Sequence, residues 1–125
     1  MEEEAEFVRT CFGENSGDAI FRYNNKEYSV QFNPTSERIP EPVNFDYTKK
    51  LTQAIKEFEK SGRRSMSFPF AASLESIKEE DGAAVATLIM PGMINQAFKI
   101  KLDLSKQDKK GRLGLKINCI IKHAD

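Results

Sequence analysis

The chain has 125 residues, of which 39% are apolar and 30% are charged, and it contains nine Phe and three Tyr. This length and composition exclude an intrinsically disordered chain and predict a single globular domain over residues 1–125. Because 19 Lys and Arg balance 19 Asp and Glu, the net charge of zero does not by itself call for a polyanionic partner.

The charges are distributed unevenly, with four basic and ten acidic side chains in the first 46 residues and fifteen and nine in the rest. The acidic start has no apolar run, so we expect no signal peptide, and no stretch approaches the roughly 18 apolar residues of a membrane-spanning helix. The two cysteines, Cys11 and Cys119, match neither a metal motif nor a disulfide framework. Together these features predict an intracellular protein of a reducing compartment, either the cytoplasm or the nucleus.

The N-terminal third of the chain predicts a short tail followed by strands. Residues 1–5 are acidic and lack apolar partners, so we expect a disordered tail. Residues 6–12 favour a strand, with the last turn of a helix as the alternative. Two alternating runs then flank Asn24-Asn25, and because Asn tolerates positive φ, this pattern predicts a β-hairpin over residues 18–33.

The segment at residues 33–43 contains three prolines and has no periodicity. Proline cannot donate to a β-ladder, and it biases the preceding residue to extended geometry. We therefore expect a semi-rigid surface connector rather than a strand. A recognition loop is the alternative function of such a segment.

One helix is strongly indicated by apolar residues at helical spacing. Asp46 is suited to the N-cap, and Ser61-Gly62 is suited to the end of the helix. The predicted buried stripe consists of Tyr47, Leu51, Ala54, Ile55 and Phe58. We expect this stripe to pack on a sheet.

Three further features follow the helix. Residues 65–74 alternate as a strand, and Pro69 within it predicts either an edge position or a bulge. Residues 78–82 are charged and end in glycine, which predicts a solvated turn. Residues 83–90 are apolar on both faces, and we expect them to form the most buried strand.

The last quarter of the chain, residues 97–123, alternates on both sides of a charged loop. An antiparallel hairpin with Leu104 opposite Leu113 brings apolar residues of one run against apolar residues of the other. In the same register Lys101 faces Lys116 on the exposed side. Like charges in that position cost stability unless they are screened or an anion binds there.

The element order is therefore (β)ββαββββ, which predicts an α+β fold. We expect a twisted antiparallel sheet of six or seven strands packed on one helix, with a half-barrel or two packed layers as variants. The residues expected in the core are Val85, Leu88, Ile100, Leu102, Leu115, Ile117, Leu51, Ile55 and Phe58.

The sequence favours a protein without enzymatic activity, and a small enzyme whose site is not visible in the sequence is the third alternative. It contains no nucleophile elbow, no phosphate-binding glycine loop, and no HExxH or CxxC motif. His123 is the only histidine, and its place near the C-terminus predicts a solvent-exposed side chain rather than a general base. We therefore expect no catalytic residues, no cofactor and no metal site.

The function that we expect is a non-catalytic binding or assembly module that acts through protein–protein contacts. An edge strand with small, uncharged outward residues accepts another chain, and zero net charge removes long-range repulsion between copies. We therefore expect a homodimer or a protein partner on this strand. The predicted contact residues are Ser65, Ser67, Pro69, Ala71 and Ser73.

The alternative function is binding of single-stranded nucleic acid by the lysine-rich C-terminal region. Clustered cations provide the affinity for phosphates, but aromatic side chains that stack on bases are missing from the exposed face of the predicted hairpin. The predicted phosphate-binding residues are Lys99, Lys101, Lys109, Lys110, Arg112, Lys116, Arg63 and Arg64.

Overall fold

The computed structural model contains one helix and seven strands within the residues that it describes. Those residues are 3–12, 17–41, 46–80, 83–89, 96–99 and 110–124. The elements are β1 (Glu6–Phe12), β2 (Gly17–Tyr23), β3 (Lys26–Ile39), α1 (Tyr47–Ser61), β4 (Ser65–Glu80), β5 (Ala83–Ile89), β6 (Gln96–Lys99) and β7 (Gly114–His123). The predicted α+β class and element order are confirmed.

The strands form one antiparallel sheet in the order β1-β2-β3-β7-β4-β5-β6, which curls around α1 as a half-barrel. The C-terminal strand β7 thus lies in the middle of the sheet, between β3 and β4. Four of its residues, Leu115, Ile117, Cys119 and Ile121, are fully buried under the helix. The sheet therefore gains its central strand from the last part of the chain.

The predicted C-terminal hairpin is wrong. β6 pairs with β5, and its Phe98 lies opposite Ala86. Cys119 of β7 lies instead between Phe32 of β3 and Phe68 of β4, so both sides of β7 are occupied by other strands. The alternating pattern of β7 shows that one of its faces is buried, but it is compatible with any neighbouring strand that also has one apolar face. The pattern therefore does not specify which strands pair with β7. Residues 100–109, with Ile100, Leu102 and Leu104, lie outside the described residues.

The helix follows its prediction closely. The Asp46 side chain accepts a hydrogen bond from the Lys49 backbone N–H at 2.9 Å, which satisfies one of the unpaired donors of the first turn. Gly62 ends the helix with φ of 68°, a left-handed conformation that glycine adopts without strain. The predicted stripe from Tyr47 to Phe58 is buried against the sheet.

The N-terminal strands are also confirmed. β1 forms, and β2 and β3 make a hairpin in which Asn24 and Asn25 have φ of 52° and 62°. Positive φ at both positions matches the twist of the flanking strands. Of the expected tail, Ala5 is buried and donates its N–H to the Thr52 hydroxyl at 2.8 Å, and Glu3 accepts the Asn24 N–H at 2.9 Å.

The proline-rich segment is predicted to be a connector, but residues 33–39 of it belong to β3. The register between β3 and β7 shifts between Pro34 and Arg38, where three residues of β3 face the single residue Lys116. Within this bulge the Thr35 hydroxyl donates to the Lys116 carbonyl at 2.6 Å. The bulge accommodates a proline inside the sheet because the regular ladder is already interrupted there.

Two other predictions are corrected by strand pairing. Residues 78–80 of the predicted turn belong to β4, where Glu80 lies opposite Ala83, and residues 81–82 lie outside the described residues. Val85 is only half-buried, because it lies on the opposite face of β5 from the fully buried Leu88. The buried face of β5 is formed by Ala84, Ala86 and Leu88.

Candidate functional site

The first half of β4 has a neighbour on one side only among the described residues. Residues 65–73 pair with β7, whereas β5 pairs with β4 from Ser73 onward. Residues 65–72 therefore form an edge, which we call the open edge of β4, about 27 Å long at ~3.4 Å per residue. This agrees with the edge position that Pro69 predicts.

One hydrogen bond defines the direction of the backbone groups along the open edge. The Leu74 N–H donates to the Leu113 carbonyl at 2.8 Å, so the backbone groups of Leu74 point towards β7. Successive residues of a strand point to opposite sides, and the pairing of residues 65–73 with β7 has no register shift. The backbone groups of Ser67, Pro69 and Ala71 therefore point away from β7. The donor that Pro69 lacks is thus one that β7 does not need.

The outer face of the sheet is the face away from α1. Along the first half of β4 its side chains are small and uncharged. Ser65, Ser67 and Pro69 are exposed and Ala71 is half-buried. The fifth predicted contact residue, Ser73, is half-buried, and it is paired with β7 on one side and with β5 on the other. We therefore assign the candidate contact surface to the first four of these residues.

β7 contributes the adjacent row of this surface. Ile120 lies opposite Ser67 and is 37% exposed, which is unusual for an isoleucine in a central strand. A shallow depression of about 490 Å³ joins the two strands here. It is lined by Ser67, Phe68, Pro69, Lys116, Asn118 and Ile120. The surface thus combines an apolar centre with small polar surroundings.

The residues predicted to bind phosphates do not form one cluster. Arg63 and Arg64 precede Ser65, which pairs with Lys122, whereas Lys110 and Arg112 precede Gly114, at the other end of β7. These two ends are about 27 Å apart, well beyond the ~8 Å Debye length at physiological salt.

Two predicted phosphate-binding lysines have other neighbours than the sequence suggests. Lys116 lies opposite Ala71 and forms an ion pair with Glu37 at 3.4 Å, so the predicted register with Lys101 is wrong. Lys99 lies in β6 opposite Val85. Lys101 and Lys109 lie outside the described residues.

A second cluster lies at the C-terminal end of β7, and the sequence did not predict it. The Tyr28 hydroxyl donates to Glu59 Oε1 at 2.5 Å, and His123 Nε2 lies 3.7 Å from the same oxygen. The His123 ring packs against Tyr28 and Phe58, with centroid distances of 5.3 and 4.9 Å. His123 thus packs against two other elements at the end of β7, and its side chain is 43% exposed, as predicted. Its partners come from β3 and α1, which are distant in sequence.

Tyr28 of this cluster and Cys119 of β7 both have raised pKa values. Burial and the hydrogen bond to Glu59 raise the pKa of Tyr28, which is only 1% exposed. Burial also raises the pKa of Cys119, which leaves a protonated thiol of low reactivity. Within the described part of the chain, no three His, Cys, Asp or Glu side chains are close enough to hold a metal ion.

No family model, no curated protein and no solved structure matches this chain. Among the described residues, no helix has the length and apolar character needed to cross a membrane.

Proposed function

We propose that this domain is a non-catalytic binding or assembly module that acts through protein–protein contacts at the open edge and outer face of β4. The observation that carries the proposal is the open edge itself. Residues 65–72 have no strand on one side among the described residues, and their sequence contains no charged side chain. Edge strands are usually guarded by charges, and an unguarded edge pairs readily with another chain.

The partner that we propose is a second copy of the chain, so that the protein is a homodimer. The net charge of zero supports this choice because copies do not repel each other at long range. Ile120 and Pro69 give the surface an apolar centre, as found at the core of many interfaces.

The buried free thiol of Cys119 is compatible with a reducing compartment, and we propose the cytoplasm or the nucleus.

Sedimentation across a concentration series tests this function. We expect the wild-type chain to dimerise as its concentration rises and Ser67→Lys to remain monomeric, because the new charge would lie inside the interface. The matched control is Gln53→Lys, which adds the same charge on the exposed side of α1 and should leave dimerisation unchanged. A wild-type chain that is monomeric at every concentration would contradict the proposal.

The alternative proposal is binding of single-stranded nucleic acid. It is supported by the exposed side chains of Arg63 and Arg64, with Lys122 on the paired strand beside them. The ion pair between Lys116 and Glu37 weakens it, since a phosphate would have to compete with that carboxylate.

A further inference from the structure

The open edge of β4 has features that decide how a second copy would bind, if the proposed dimer forms. Ser67 and Ala71 direct both their N–H and C=O groups away from β7, whereas Pro69 directs only a carbonyl that way. An edge of this kind pairs with another strand through main-chain hydrogen bonds. Contact through the outer face alone would leave these groups to water.

The side chains on both faces of the edge suit an identical partner. On the inner face Phe68 and Phe70 are buried, and Met66 is half-buried against the core. Consider an antiparallel register in which inner-face residues of one copy lie opposite inner-face residues of the other. It places these apolar residues next to each other and the small outer residues next to small outer residues. Because no charge lies between residues 65 and 74, two identical edges do not repel each other.

The two arginines before β4 decide the direction of pairing. In a parallel arrangement Arg63 and Arg64 of both copies would lie side by side and repel each other. In an antiparallel arrangement they lie at opposite ends of the paired segment, more than 20 Å apart, where salt screens them. Antiparallel pairing of the same strand is also what a two-fold symmetric dimer requires.

We infer that two copies of the chain join by antiparallel pairing of residues 65–72 of β4, so that one continuous sheet runs through the dimer. β5 limits the paired segment, since it occupies the same side of β4 from Ser73 onward. Pro69 lies near the centre of the paired segment and has no N–H to donate to the second copy. The main-chain hydrogen bonds between the copies therefore come chiefly from Ser67 and Ala71. This inference rests on the proposed function and specifies its geometry.

Amide hydrogen exchange of the wild-type chain tests the inference without any substitution. We expect the N–H groups of Ser67 and Ala71 to exchange fast in dilute solution and to become protected as the protein concentration rises. The N–H groups of Phe68 and Phe70 point to β7 and serve as internal controls that are protected throughout. Protection of Ser67 and Ala71 in the monomer would show that the chain covers its own edge, and would overturn the inference.

A proline variant separates pairing at the edge from packing on the face. Ser67→Pro removes an edge donor without removing a donor to β7, and we expect it to raise the dimer dissociation constant at least about tenfold, since one bond is lost in each copy. Ser67→Ala keeps the N–H and should leave the constant unchanged. A dimer that Ser67→Pro does not weaken and that leaves both amides unprotected would overturn strand pairing while the proposed function stands. The absence of any dimer would remove both.

Discussion

At the scale of single residues, Glu59 shows how distant segments are tied together. Its carboxylate accepts the Tyr28 hydroxyl and lies 3.7 Å from His123 and 3.9 Å from Lys26. These contacts connect the end of α1 with the β2–β3 turn and the end of β7. The contact with Lys26 is a partly exposed ion pair, which contributes little by itself. The buried Tyr28 hydroxyl depends most on this carboxylate, because an unpaired buried hydroxyl is costly.

Tyr28 predicts a dependence of stability on alkaline pH. The folded state raises its pKa, so above pH ~10 the unfolded chain loses this proton while the folded chain keeps it. The free energy of unfolding of the wild-type chain should therefore fall as the pH rises above ~10. Tyr28→Phe should lower stability at neutral pH by about 1 kcal/mol and make the alkaline fall shallower. Urea unfolding from pH 7 to 11 measures both effects, and equal slopes for the two proteins would contradict this account.

At the scale of elements, the two faces of β7 differ in burial and therefore in their expected contribution to stability. Its residues Leu115, Ile117, Cys119 and Ile121 are fully buried on the face towards α1, whereas the residues of its outer face are polar apart from Ile120 and Gly114. The start of β7 lies so close to the end of β3 that a Cβ on Gly114 would come within 2.5 Å of the Pro40 carbonyl oxygen. Glycine is therefore required where the two strands meet.

Two isoleucines of β7 test this difference between its faces. Ile117 is 0% exposed, and Ile117→Ala should lower the free energy of unfolding by about 2–5 kcal/mol, because it removes core contacts and leaves a cavity. Ile120→Ala on the outer face of the same strand is the matched control and should cost less than about 1 kcal/mol. Chemical denaturation measures both, and similar losses at the two sites would show that the faces are assigned incorrectly.

At the scale of the whole molecule, the cations are spread over opposite ends of the β4–β7 pair. This distribution bears on the alternative function, because nucleic-acid affinity depends on how many phosphates are neutralised at once. Arg63, Arg64 and Lys122 form one group, and Lys110 and Arg112 form the other. A strand of nucleic acid would have to cross the outer face to reach both.

Binding of single-stranded DNA at several salt concentrations tests this alternative. If it holds, affinity should fall steeply with salt, and the double variant Arg63→Gln/Arg64→Gln should reduce the slope by about one to two phosphate contacts for every sequence alike. Lys49→Gln on the exposed side of α1 is the control and should leave the slope unchanged. Failure to bind at ~50 mM salt, where such contacts are strongest, would exclude the alternative.

Local features were determined by the sequence itself. The helix with its Asp46 cap and Gly62 end, the Asn24-Asn25 turn and the position of most strands follow from capping chemistry, φ preferences and the periods of 3.6 and 2. The unguarded character of residues 65–72 is also visible in the sequence, because Pro69 and the missing charges are local properties.

Only the tertiary structure decided which strands are neighbours. An alternating strand can bury its apolar face beside any other strand that has an apolar face. The sequence pattern therefore did not show that β7 pairs with β3 and β4 rather than with β6. That placement also separates the predicted cations, pairs Lys116 with Glu37, and brings His123 to Tyr28 and Glu59. Each of these contacts joins residues far apart in the chain, and packing of the whole sheet around α1, rather than any local preference, brings them together.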